Sequence, residues 1–330
     1  MSKLWQWIMN ILGLGHEQRE LEVYFQTLVQ VAEPKIELLP GWRDRLKTGV
    51  VRSRAYAETL AGSLAPALDL SPQGYNVDRR VGLLFATPDV LLGVLDGSKA
   101  LHEYFLHASH GDEAYALLVM QCYQKRHFGS ALRNGQLLDD VAQTVVSFGG
   151  HRLVGICNSE QGLRQEAVQR AFHALAAVAA RRIALQAGRL QSLNTEKTQV
   201  ELKLATLSGK AVVVDATPGN ERLPDSRAEL LAYLAEIDQE LAELAPIATL
   251  EGKLEVVKRV SNAPEQYLAV RNEQLLLDRM GIVRSPGDGE DGIALSMETV
   301  TFGRIEPMER VVVPVRITRQ ALKAWRERLA

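Results

Sequence analysis

The sequence predicts an α+β protein: an N-terminal helical and antiparallel-sheet domain, a long antiparallel helical (coiled-coil-like) hairpin, and a small C-terminal three-stranded β unit with one helix. Three observations carry this prediction. Apolar residues recur in steps of four and three from Val168 to Leu207, which is helical spacing. β-Branched and aromatic residues gather between Ala114 and Cys157, and again between Glu273 and Ile317, broken by Gly-, Asn- and Pro-containing turns. The 330 residues, 46% hydrophobic and 24% charged, supply enough apolar surface for more than one folding unit. The expected divisions are 1–15, an amphipathic or docking N-terminal helix; 16–158, the α+β domain; 160–262, the helical hairpin; and 265–330, the β unit with its terminal helix.

Near its start the chain reads LWQWIMNILGL, residues 4–14, with Trp5, Trp7, Ile8, Ile11 and Leu12 among its apolar residues. The stretch is too short to span a bilayer and lacks the flanks of a secretory signal. Indole rings suit the boundary between headgroups and acyl chains, so an interfacial helix at a membrane surface is one reading. Docking into a groove of the protein or of a partner subunit is the other. The polar face, Gln6 and Asn10, lacks the basic residues that interfacial helices carry.

Residues 16–33 show helical spacing through Leu21, Tyr24, Leu28 and Val31, and Pro40-Gly41 ends that run. A second helix is expected from Trp42 to Leu68, with Arg43, Arg45, Lys47, Arg52 and Arg54 as a basic cluster for anionic lipid or a solvated face. VGLLF at 81–85 has the composition of a buried strand. Thr87-Pro88-Asp89 marks a helix start, and a further helix after Gly97 carries Leu101, Tyr104 and Phe105. From Ala114 to Cys157 the pattern is that of an antiparallel meander, with Asn134-Gly135 as a hairpin turn and Asp139-Asp140 and His151-Arg152 placed in surface turns.

The four-three stripe passes through Phe172, Leu175, Ile183, Leu190 and Leu193. A break at Pro218-Gly219 and Pro224 follows, then the capping-box pair Ser226 and Glu229, then a second stripe of Leu230, Leu234, Ile237, Leu241 and Leu244 ended by Pro246. Residues 160–210 carry eight basic and four acidic side chains, and residues 225–255 eight acidic and two basic. Two arms of opposite sign are expected to pair antiparallel, with leucine burial supplying stability and charge selecting register. The pattern fits closure within one chain or between two, making a protein partner or a homo-oligomer the expected partner class.

In the C-terminal region, 273–283, 293–302 and 310–317 read as strands, the last an edge strand because of Pro314. A helix from Arg319 carries Leu322, Trp325 and Leu329. Asp288, Glu290 and Asp291 lie in a loop without the spacing of a helix–loop–helix calcium site.

Lys+Arg number 38 against 40 Asp+Glu, so no global field draws nucleic acid. Cys122 and Cys157 are too few for a disulfide framework or a four-thiolate zinc site, which fits a reducing, cytoplasmic setting, peripheral to the inner face of a membrane if the first helix meets lipid. Phosphate-loop, dinucleotide and nucleophile-elbow motifs are missing. Metal-ligand chemistry concentrates around His102, Glu103, His107, His110, Asp112 and Glu113. His107 and His110, three apart, share a helical face, and Asp112 offers a third donor for a divalent metal. Histidines near a helix end also serve as solvated or capping groups. No cofactor is otherwise expected. The leading expectation is therefore a non-enzymatic interaction scaffold; a metal-dependent, hydrolase-like enzyme centred on His107 and His110 is the alternative, and a nucleic-acid binder the second.

Overall fold

A computed structural model describes residues 14–107, 111–133, 136–209, 223–284, 292–304 and 307–329. It is an α+β protein of two compact units, one formed by Ser53–Ala174 with Pro264–Ala330 and the other by Met1–Arg52 with Leu175–Ala263. The N-terminal tryptophan segment, His110, the Asn134-Gly135 turn and the acidic loop lie outside the described residues. No helix among the described residues is long and apolar enough to cross a membrane.

The helical unit contains α1 (Leu14–Ala32), a 3-10 turn (Pro34–Leu38), the first half of α2 (Trp42–Gly62), residues 175–207 of α7 (Glu160–Leu207), α8 (Arg227–Leu244) and α9 (Leu250–Asn262). Phe25, Leu28, Ile36, Leu46, Val50, Leu254 and Val257 are among its buried core. Phe25 meets Trp42 edge to face at 6.0 Å, and Lys253 closes the core's rim on Glu33 at 2.6 Å. Pro246 ends α8 as expected. A 3-10 turn (Ala245–Ala248) intervenes, and Thr249 caps α9 by accepting from Gly252 N–H. A Cβ at Gly252 would lie 1.8 Å from Pro246 O, so only glycine lets the chain double back there. In the basic cluster, Arg43 pairs with Glu22, Arg45 with Glu255 and Arg54 with Glu58.

In the sheet-bearing unit, β1 (Leu68–Asp69) leads into four short helices, α3 (Pro72–Val77), α4 (Arg79–Phe85), α5 (Pro88–Gly97) and α6 (Lys99–Leu106). Each starts on a side chain that accepts from a first-turn N–H: Ser71, Asp78, Thr87 and Ser98. VGLLF is therefore helix and not strand. Asp78 caps it, and Val81, Leu84 and Phe85, three and four apart, form its buried face. The second helix stops at Gly62, short of the expected Leu68.

The strands are β2 (Glu113–Arg133), β3 (Gln136–Cys157), β4 (Leu268–Leu277), β5 (Ile293–Phe302) and β6 (Met308–Thr318), with α10 (Arg319–Leu329) after them. The three C-terminal strands and the helix form as expected. They also join the first β-hairpin in one sheet of order β3-β2-β6-β5-β4, antiparallel throughout except that β1 pairs parallel with β6. Strand β4 ends at Leu277, earlier than predicted, because the Asp278 carboxylate accepts from Met280 and Ile282 N–H and turns the chain. Gly281 (φ +79°) completes that turn, where a Cβ would sit 2.4 Å from Val146 O. His151 likewise stands in β3 and not in a turn, bonding Leu84 O at 2.8 Å.

Pro314 is not on an edge strand. It pairs with Leu117 of β2 while β6 runs between β2 and β5. On its other side, β5 pairing ends at Val312 and β1 pairing begins at Val315. Proline thus occupies a local gap in the ladder, which meets the same physical requirement as an edge.

Strand alternation gives the sheet two apolar faces. Ala116, Leu118, Met297, Val313 and Val315 pack with Leu84, Phe85, Leu91, Leu101 and Trp325 of the short helices and α10. Trp325 Nε1 donates to Leu70 O at 2.7 Å, so the buried indole N–H is satisfied. Leu117, Val119, Val300 and Val312 point to the other face, toward the second half of α2 and the first turns of α7.

Candidate functional site

The helical hairpin closes within the chain. Leu193 and Val200 of α7 are buried with Leu223, Leu230 and Ile237; Leu204, Tyr233, Leu234, Leu241 and Leu244 pack around them half-buried. Ion pairs run along both sides of this seam. Arg189 meets Glu240 at 2.7 Å, Lys197 meets Asp238 at 2.7 Å, and Lys203 meets Asp225 at 2.8 Å. Partner numbers fall as those on α7 rise, which is the antiparallel register. Ser226 Oγ accepts from Glu229 N–H, as the capping pair predicts.

Four of these groups are shifted toward the charged form. The Arg189 hydrogen bond holds the Glu240 carboxyl below its ordinary range, and the Lys203 hydrogen bond does the same for Asp225. Glu240 and Asp238 in turn raise Arg189 and Lys197. Tyr233 donates its hydroxyl to Glu196, which raises the phenol above its ordinary value.

These contacts use every charged side chain of α7 between residues 184 and 202: Arg189, Glu196, Lys197 and Glu201, the last paired with Lys197 at 3.9 Å. What α7 leaves exposed there is otherwise uncharged, including Ala184, Ala187, Gln191, Asn194 and Thr198, spaced by threes and fours. The Asn194, Thr195 and Thr198 side chains bond back to carbonyls of their own helix. With Ala187 and Leu190 they line a shallow groove.

The predicted seam is only partly the hairpin. Leu190, Leu193, Leu230, Leu234, Ile237, Leu241 and Leu244 lie on α7 and α8 as expected, although Leu190 is only half-buried. Phe172 belongs to the sheet-bearing unit, while Leu175 and Ile183 are buried nearer the start of α7. Of the metal candidates, His107 terminates α6, its N–H donating to Tyr104 O. The Asp112 carboxylate accepts from Arg319 at 2.9 Å, and Glu113 holds Arg316 at 2.6 Å. No cluster of three or more His, Cys, Asp and Glu able to hold a metal occurs among the described residues.

Sequence reasoning missed one group. Glu298 of β5, predicted simply as part of a strand, is 6% exposed and lines a cavity of about 300 Å³. Its only early signal is alternation, which sets it on one face with Val300 and Phe302.

No protein-family model matches the sequence, and neither the curated proteins nor the solved structures yield a match.

Proposed function

We propose that this chain is a non-enzymatic interaction scaffold, and that its docking strip is the uncharged outer face of α7 from Ala184 to Thr198. The occupant is an amphipathic helix of a protein partner. The observation that carries this reading is the division of labour on α7: α8 engages Arg189, Glu196 and Lys197, and the opposite face keeps neutral residues at coiled-coil spacing. A face meant only for water ordinarily carries Lys and Glu. Charge depletion is what the centre of an interface requires, because a covered charge must be desolvated. Alanine and threonine also let a second helix axis approach closely.

The test is site-specific photocrosslinking of the full-length chain in its native cell. A crosslinker at Gln191 should give a discrete adduct that one at Glu243, exposed on α8, does not. Thr198→Glu should abolish the adduct, leaving helicity unchanged. Identical adducts from both positions, or an adduct indifferent to Thr198→Glu, would refute the docking strip.

A further inference from the structure

The sheet-bearing unit holds a second feature, independent of the hairpin. Between one face of the sheet and the helices α2 and α7 lies a cavity of about 300 Å³. It exists because both helices present alanine there. Ala57 and Ala61 on α2, with Ala171 and Ala174 on α7, face Leu117 and Val300 of the sheet. Larger side chains at these positions would fill the space, as close packing normally does. The volume is twice the roughly 150 Å³ that accommodates benzene and stands at the lower end of small-molecule pockets.

In this apolar wall stands one carboxyl group, Glu298, more than nine-tenths buried. It accepts a hydrogen bond from the Ala65 backbone N–H, and burial pushes its pKa up. It makes no ion pair among the described residues. Arg170, the basic residue in the lining, is engaged by Glu166 at 3.0 Å. A buried carboxyl without a counter-ion is costly in a folded interior unless something pairs with it. A strand position facing alanines and valines would be more stable as Val or Thr.

We propose that this cavity is a binding site for a compact apolar amine, an arylalkyl or cycloalkyl ammonium whose hydrocarbon body fills the alanine-lined space and whose N–H groups reach Glu298. A cationic head supplies the missing counter-charge. An anionic ligand would be repelled, and a neutral one would leave the carboxyl without a counter-charge.

The experiment is calorimetric titration of the full-length protein with 2-phenylethylamine and with its neutral analogue 2-phenylethanol. The amine should bind about tenfold or more tightly than the alcohol, the margin expected for a charge-assisted hydrogen bond in an apolar site. Glu298→Gln should erase that preference while still admitting the alcohol. Ala171→Leu, which fills the cavity and keeps an apolar wall, should abolish binding of both and raise the melting temperature. Equal affinities in the wild type, absence of amine binding, or a preference surviving in Glu298→Gln would each overturn the assignment.

Discussion

The chain contains two long antiparallel hairpins built on different physics. In the helical one, α7 and α8 satisfy their own backbone hydrogen bonds and are joined by buried side chains: Leu193, Val200, Leu230 and Ile237. In the β2–β3 ribbon the backbone ladder itself is the joint, running from Tyr115↔Cys157 to Arg133↔Gln136. Among the described residues, β6 pairs with β2 only as far as Met120, and backbone pairing from outside the ribbon reaches β3 at Thr144 and Val145. Beyond that the ribbon is two-stranded, with Phe128 67% exposed. A two-stranded ribbon without an apolar cover is marginal in water. The helical hairpin is therefore expected to unfold with its core, and the ribbon's outer half to open on its own.

Truncation of the leucine seam is the largest way to separate the two. Leu230 is fully buried, so Leu230→Ala should cost about 2–4 kcal/mol in urea denaturation. Phe128→Ala in the ribbon should stay within about 0.5 kcal/mol. Equal losses would end the contrast. Next comes hydrogen exchange: amides of residues 124–133 and 136–143 should exchange through local opening, far faster than those around Leu193 and Val200. Ala142→Pro should strip the remaining protection from the outer ribbon with little change in the global melting temperature.

Acid should weaken the helical hairpin's charge register. Glu240 and Asp225 have folded values below their ordinary 4.5 and 3.8. Their contribution is complete above those ordinary values and is lost as pH falls through the lower folded ones. Melting followed by circular dichroism, from neutral pH down through the carboxylate range, should show a falling midpoint. The smallest effect belongs to a single exposed pair. A double-mutant cycle on Arg189→Gln and Glu240→Gln should give a slight coupling that disappears in high salt.

How much of this was legible in the sequence follows from the range of each interaction. The capping pair at Ser226 and the break at Pro246 are local signals, and each appears where predicted; the leucine spacing marked both helices but extended past the hairpin, since Phe172 belongs to the sheet-bearing unit. Opposite arm charges anticipated the register, but closure within one chain became visible only through Arg189–Glu240 and its neighbours. VGLLF misled because five residues are too few to separate helical from strand spacing; the deciding feature was Asp78, a cap just outside it. Pro314 misled because one residue cannot reveal that β5 and β1 take turns beside β6. Glu298 was illegible since α2 and α7, which cover it, are distant in sequence and only the folded chain brings their alanines over β5.

The position of β6 sets a timetable for synthesis. Its neighbours β2 and β5 are made far apart in time, and β2 meets residues 308–318 only after all the helices of the other unit have been translated. Until those residues leave the ribosome, β2 exposes an unpaired apolar edge from Glu113 to Met120. Such an edge invites pairing with foreign strands. A chain stalled before Met308 should therefore depend on chaperones far more than one halted after Thr318.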